Sequence, residues 1–167
     1  HWVAGPLTAR SVTEDYEIRA LLEPAALKAS APRLEQATLL SMRARLERVM
    51  SASTPPAMND IGNIENDLHV KCLQYAGNRK AAVIIRQSQL PIMVNRNFFA
   101  VLGATADESV FMEHKLVFDH LIRNAVDAAA ASLEAHLMSA AERTKQRLKA
   151  LSVFPEPDLP RFLVRIA

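Results

Sequence analysis

Apolar residues recur every three or four positions along most of the chain, the period of helices that bury one face. Ile18, Leu21, Leu22, Ala25 and Ala29 form the first such stripe, and Ser11-x-x-Glu14 ahead of it matches a capping box; the pattern predicts a helix over 12–30. Leu39, Leu40, Leu46, Val49 and Met50 predict a second from about Arg33 to Ala52, closed by Ser53-Thr54-Pro55-Pro56. A third is expected from Ala57 to Ala76, stopping at Gly77-Asn78, and a fourth from Arg79, split by Pro91 and ended by Gly103. Thr105 to Asn124 reads as a fifth, and the Ala- and Leu-rich stretch from Asp127 to Leu151 as a sixth. Short connections between amphipathic helices imply an all-α fold, an antiparallel bundle of about six to seven helices. Residues 1–10 read as an extended linker, 11–151 as the helical domain, and 152–167, with three prolines, as a tail that is not regular helix.

Four polar residues interrupt the apolar stripes. Glu65 and His69 are four apart, so they stack on one helix face with Ile61, Leu68, Cys72 and Leu73. His114 sits among Val110, Val117, Phe118 and Leu121, and His136 among Leu133, Leu137 and Ala140. Each buried polar group needs a partner, because leaving one unpaired costs about 1–3 kcal/mol. A divalent metal would satisfy all four together. Imidazole suits Zn, Ni, Cu and Fe(II), and the carboxylate admits Mn. The competing reading treats each histidine as an ordinary hydrogen-bonded core residue and Glu65 as an ion-pair partner. Periodicity alone does not show that the three helices converge.

Composition narrows the class but does not name a function. The charge balance of 20 basic and 18 acidic residues makes no case for nucleic-acid or membrane binding. The single cysteine excludes an internal disulfide and fits a reducing, cytoplasmic setting. No apolar run approaches a membrane span, and no signal-peptide pattern opens the chain. Because the first residue is His1, an upstream module is expected. There is no G-x-S-x-G, H-E-x-x-H, P-loop or G-x-G-x-x-G, so an enzyme is not expected. A metal-dependent enzyme with open coordination positions, or a metal-free interaction domain, remain the alternatives.

Other residues read more plainly. Asp67 falls on the far side of the Glu65–His69 helix and is expected in solvent, and His120 lies off the face of His114. Cys72 could reach a soft metal, although burial as a small apolar residue fits it better. Arg19 and Glu23, four apart, read either as a helical ion pair or as a site in which Arg19 points into the bundle and binds a carboxylate ligand. Arg143, Lys145, Arg147 and Lys149 read as a solvated helix face.

Several of these segments, in order, resemble one family. Tyr16-Glu-Ile-Arg-Ala-Leu-Leu-Glu-Pro24 resembles the opening "Y-E-x-R-x-x-L-E" of the FCD domain, the ligand-binding C-terminal domain of FadR-type regulators in the GntR superfamily. Glu65-Asn-Asp-Leu-His69 with Tyr75-Ala-Gly-Asn78 resembles "D-x-x-F-H … A-x-G-N". Glu113-His114 and His136-Leu137 resemble the "E-H" and "H-L" of later helices, and Trp2-Val3-Ala4 resembles the last strand of a winged helix-turn-helix wing.

The resemblance implies a dimeric helical bundle that senses a small carboxylate effector through a bound divalent metal (Zn, Ni, Mn or Fe, with Zn or Ni favoured). It implies Glu65, His69, His114 and His136 as metal ligands and Arg19 and Asn78 as effector contacts. It also implies DNA binding through an N-terminal winged helix. Glu65 departs from the family's Asp by one methylene, and Leu68 replaces an aromatic residue.

Overall fold

The computed structural model describes residues 8–54, 57–89 and 108–151. Among these residues the chain is all-α: α1 (Ala9–Ser30), α2 (Gln36–Met50), α3 (Met58–His69), α4 (Arg79–Ser88), α5 (Glu108–Ile122) and α6 (Val126–Leu151), with no strand. Short 3-10 turns at Ala31–Arg33 and Lys71–Leu73 join neighbouring helices. The segment expected to kink at Pro91 and end at Gly103, the extended start at 1–7 and the tail at 152–167 lie outside the described residues.

The capping box of α1 lies three residues earlier than expected. Thr8 is the N-cap, and its side chain accepts from the Ser11 N–H while the Ser11 hydroxyl accepts from the Thr8 N–H. Ser11 thus serves as the reciprocating N3 residue, and Glu14 instead pairs with Arg10. Residues 9 and 10, expected in the linker, are helical.

Helices α1 and α6 form an antiparallel pair. Tyr16 near the start of α1 meets Thr144 near the end of α6, and Lys28 near the end of α1 meets Asp127 at the start of α6. The turn from α5 to α6 is a Schellman motif: the Asn124 N–H donates to the Leu121 carbonyl and the Ala125 N–H to the His120 carbonyl. Asn124 takes the left-handed conformation this requires, at φ 58°. On the other flank Arg43 of α2 donates to Asp119 of α5. Between the helices, Leu27, Leu46, Ile64, Leu68, Val117, Phe118, Leu133 and Leu137 form one continuous core. Each such side chain contributes about 1.5–3 kcal/mol through burial.

Three features differ from expectation. The first is α1: of the expected stripe only Leu22 packs against the core, while Ile18, Leu21, Ala25 and Ala29 face out and Val12, Tyr16, Arg19, Glu23, Ala26 and Leu27 are buried. Leu21 is 77% exposed. Second, α3 stops at His69, seven residues short of Ala76, where Val70 leaves helical geometry at φ −125°. The break is tied on both sides: Gln89 donates to the freed His69 carbonyl, and the Tyr75 N–H donates to the Ser30 hydroxyl of α1. Asp67 is buried, not solvated, because α2 packs on α3 and Arg45, with Lys71, supplies the charge its carboxylate needs.

Candidate metal centre

The histidines converge. His69 closes α3, His114 lies mid-α5 and His136 mid-α6, and all three are buried. Their ring centroids stand 5.4, 5.3 and 4.5 Å apart, and each ring offers a nitrogen within 4.8 Å of the others. Glu65, one turn before His69, lies beside two of them, with Oε2 3.6 Å from His69 Nε2 and Oε1 3.4 Å from His114 Nε2. It remains 22% exposed, the most open member of the group.

Each histidine has its Nδ1 engaged on the outer side. His114 Nδ1 lies 2.7 Å from the Val110 carbonyl, which can only accept, so Nδ1 carries the proton. His136 Nδ1 lies 2.7 Å from Glu113 Oε2 and His69 Nδ1 2.6 Å from Glu23 Oε2. Burial pushes the Glu23 carboxyl up, but the Arg19 charge and its hydrogen bond to Oε1 oppose this and favour the carboxylate; facing ionised Glu23 and Glu113, these rings are also Nδ1–H tautomers. The Nε2 atoms are then bare acceptors. Those of His69 and His114 are buried without a hydrogen-bond partner, while a carboxylate faces them at 3.4–3.6 Å. Facing acceptors with no donor between them repel, and a cation relieves all of them together.

Electrostatics sharpen the picture. Burial pushes the His69 pKa well below the usual imidazole value, helped by the nearby Arg19 charge. Burial also lowers His136, with His114 adding to the effect. Burial alone would raise Glu65, but the charge that His114, His69 and His136 carry when protonated, with that of Arg19 behind them, outweighs it and holds the carboxyl below its usual range. For Glu113, burial is likewise outweighed by hydrogen bonds from His136 and Arg143, which bring its pKa to about 2. These directions suit deprotonated nitrogen ligands and an ionised carboxylate.

Arg19 and Glu23 form the helical ion pair of the first sequence reading, but inside the bundle, where the second placed Arg19. Arg19 is 1% exposed, stacks against the Tyr16 ring at 5.3 Å and donates from Nε to Glu23 Oε1 at 2.5 Å. Its Nη2 is buried without a partner, and its charge acts on both His69 and Glu65. Asn78 has a different position: exposed at the N-cap of α4, it spends its carbonyl oxygen on the Ala81 N–H. Cys72 stays with the core, its sulfur 3.9 Å from that of Met42 and its thiol pushed up by burial to about 12. His120 is half-buried outside the cluster.

Two residues behind the histidines were not legible as site residues. Glu23 bridges Arg19 and His69. Glu113 bridges His136 and Arg143, which overturns the reading of Arg143 as solvated. The spacing His136-x6-Arg143, two helical turns on one face, is the signal that could have revealed the second bridge.

Three buried histidines and a carboxylate thus converge inside the helical bundle, beside an inward arginine. The FCD domain family model matches residues 14–139, and the chain belongs to that family, the C-terminal effector-binding domain of GntR-family regulators. No curated protein and no solved structure matches the chain significantly. Regulators of this family carry an N-terminal DNA-binding module beside the effector domain. No helix among the described residues is long and apolar enough to cross a membrane.

Proposed function

We propose that this effector domain binds a single divalent metal through His69, His114, His136 and Glu65 and senses a small organic acid through that metal and Arg19. The carrying observation is a pair of complementary vacancies in hydrogen bonding. Buried acceptors at His69 Nε2 and His114 Nε2 lack a donor, while a buried donor at Arg19 Nη2 lacks an acceptor. A metal supplies what the first two need, and an effector carboxylate supplies what the third needs while occupying an open metal position. Nitrogen-rich coordination favours Zn or Ni. Asn78, engaged as a helix cap, has no part in this reading.

The domain then acts as the sensing and dimerising half of a cytoplasmic transcription regulator. DNA contact falls to the family's winged helix, and effector binding shifts the balance between arrangements of the paired heads. Elemental analysis tests the metal: the purified chain should hold a stoichiometric divalent ion, and the His114→Ala/His136→Ala variant should lose it. Metal retained by that variant refutes the site. Thermal melting with a panel of organic acids tests the effector: stabilisation by an acid should vanish after chelation.

A further inference from the structure

We propose that Glu23 is a tautomer lock: held in place by Arg19, it fixes the His69 proton on Nδ1 and so keeps Nε2 bare toward the other two histidines. The proposal rests on the metal reading for its purpose but not for its chemistry. Glu23 is fully buried, so bulk solvent does not compete for either of its partners. Oε1 accepts from Arg19 Nε at 2.5 Å and Oε2 lies 2.6 Å from His69 Nδ1. Arg19 is a permanent cation with donors only, and it occupies one oxygen in a fixed orientation. The second oxygen therefore presents an acceptor to His69, and the ring answers with an N–H. Neither His114, locked by a backbone carbonyl, nor His136, locked by Glu113, has a lock that also holds the inward arginine. Glu23 thus sets the metal-facing nitrogen and the effector-facing guanidinium with one carboxylate.

The arrangement makes an uncommon prediction for Glu23→Gln. The amide must turn its oxygen to Arg19, because two donors cannot face each other beside a fixed cation. Its NH2 then points at His69 Nδ1 and demands an acceptor there. The His69 proton moves from Nδ1 to Nε2, with no change in total protonation, and the nitrogen that faces His114 and Glu65 becomes a donor. Removing Arg19 as well, in Arg19→Met/Glu23→Gln, frees the amide to rotate and return its oxygen to His69. The second substitution should therefore rescue the first.

Long-range nitrogen–proton NMR of the histidine rings in metal-free protein tests this, with zinc affinity measured in parallel by competition titration. In the unaltered chain the His69 proton is expected on Nδ1; finding it on Nε2 overturns the proposal even if no variant folds. In Glu23→Gln the proton should appear on Nε2 and zinc affinity should fall at least about tenfold. The double variant should regain both the Nδ1 proton and most of the affinity. Unchanged ring signals in Glu23→Gln, or no recovery in a folded double variant, overturn it. A chain that binds no zinc but shows the proton exchange defeats the metal reading and leaves the lock standing.

Discussion

Glu113 grips Arg143 through both carboxylate oxygens, at 2.8 and 2.7 Å, and the oxygen at the shorter distance also lies 2.7 Å from His136 Nδ1. This is the outer counterpart of the Arg19–Glu23–His69 chain, but it sits at the bundle rim, where Glu113 is 26% exposed. Both chains run arginine, carboxylate, imidazole, and both leave the imidazole Nε2 turned inward. The third ring needs no carboxylate because the Val110 carbonyl one turn earlier in α5 does the same work.

Arg143→Gln should therefore weaken zinc binding by roughly tenfold, through a loosened Glu113 and a less constrained His136 ring. Its cost to folding should be small, about 0–1 kcal/mol, because the pair is partly solvated. Competition titration against a zinc chelator, read beside a thermal melt, separates the two effects. Equal zinc affinity in the variant and the unaltered chain would show that the Glu113–Arg143 clamp does not orient the ring.

Asp119 ties α5 to α2 through Arg43 and to its own helix through Lys115. Burial would raise its carboxyl, but hydrogen bonds from Arg43 and Lys115 outweigh that and hold the pKa below the usual value. A carboxyl that releases its proton more readily in the folded chain stabilises the fold above the unfolded value, near pH 4. That contribution disappears as pH falls through the lower folded value. Asp119→Asn should thus cost about 1 kcal/mol at neutral pH, and the deficit should shrink steadily below about pH 4. Urea melts across an acid pH series check it; a deficit independent of pH would contradict the assignment.

Asn124 holds the left-handed position that ends α5 and launches α6. A β-branched residue pays about 1–2 kcal/mol for this conformation, whereas glycine adopts it freely. Asn124→Val should lower stability by about that amount, and Asn124→Gly should leave it nearly unchanged. Denaturant unfolding of the two variants provides the comparison. Similar losses in both would mean that the Asn124 side chain, not its backbone angle, matters at the turn.

The helical class was legible because the 3.6-residue period persists through α2, α5 and α6, where buried residues such as Leu39, Leu46, Phe118, Leu121, Leu133 and Leu137 are apolar. Helix α1 defeated the same logic. Its inward face carries Arg19 and Glu23, charges that satisfy each other and His69, while apolar residues occupy its outside. Hydrophobicity along one helix cannot reveal a buried ion pair whose second carboxylate oxygen finds its hydrogen bond at a residue 46 positions away. The end of α3 was hidden for a related reason, since its anchors, Ser30 and Gln89, come from other parts of the chain. The histidines were visible because each interrupted an otherwise apolar stripe. Their shared orientation was not, because it is set by residues behind them.

The outward stripe of α1 remains to be placed. Leu21 and Ile18 are 77% and 40% exposed, and Ala25 and Ala29 continue the same face toward the end of the helix. Two large apolar side chains followed by small ones form a ridge against which a second helix can pack closely, and burying it would recover about 25 cal/mol per Å2 of apolar area. A second copy of this chain is the occupant that fits the proposed dimer. Leu21→Glu should leave the protomer fold within about 0.5 kcal/mol of the unaltered chain, because the side chain touches no core in the single chain. In a dimer it would bury an unpaired charge, so the variant should sediment as a monomer at concentrations where the unaltered chain sediments as a dimer. Sedimentation equilibrium of the two proteins decides it: a Leu21→Glu chain that still pairs with undiminished affinity places the dimer interface on another face.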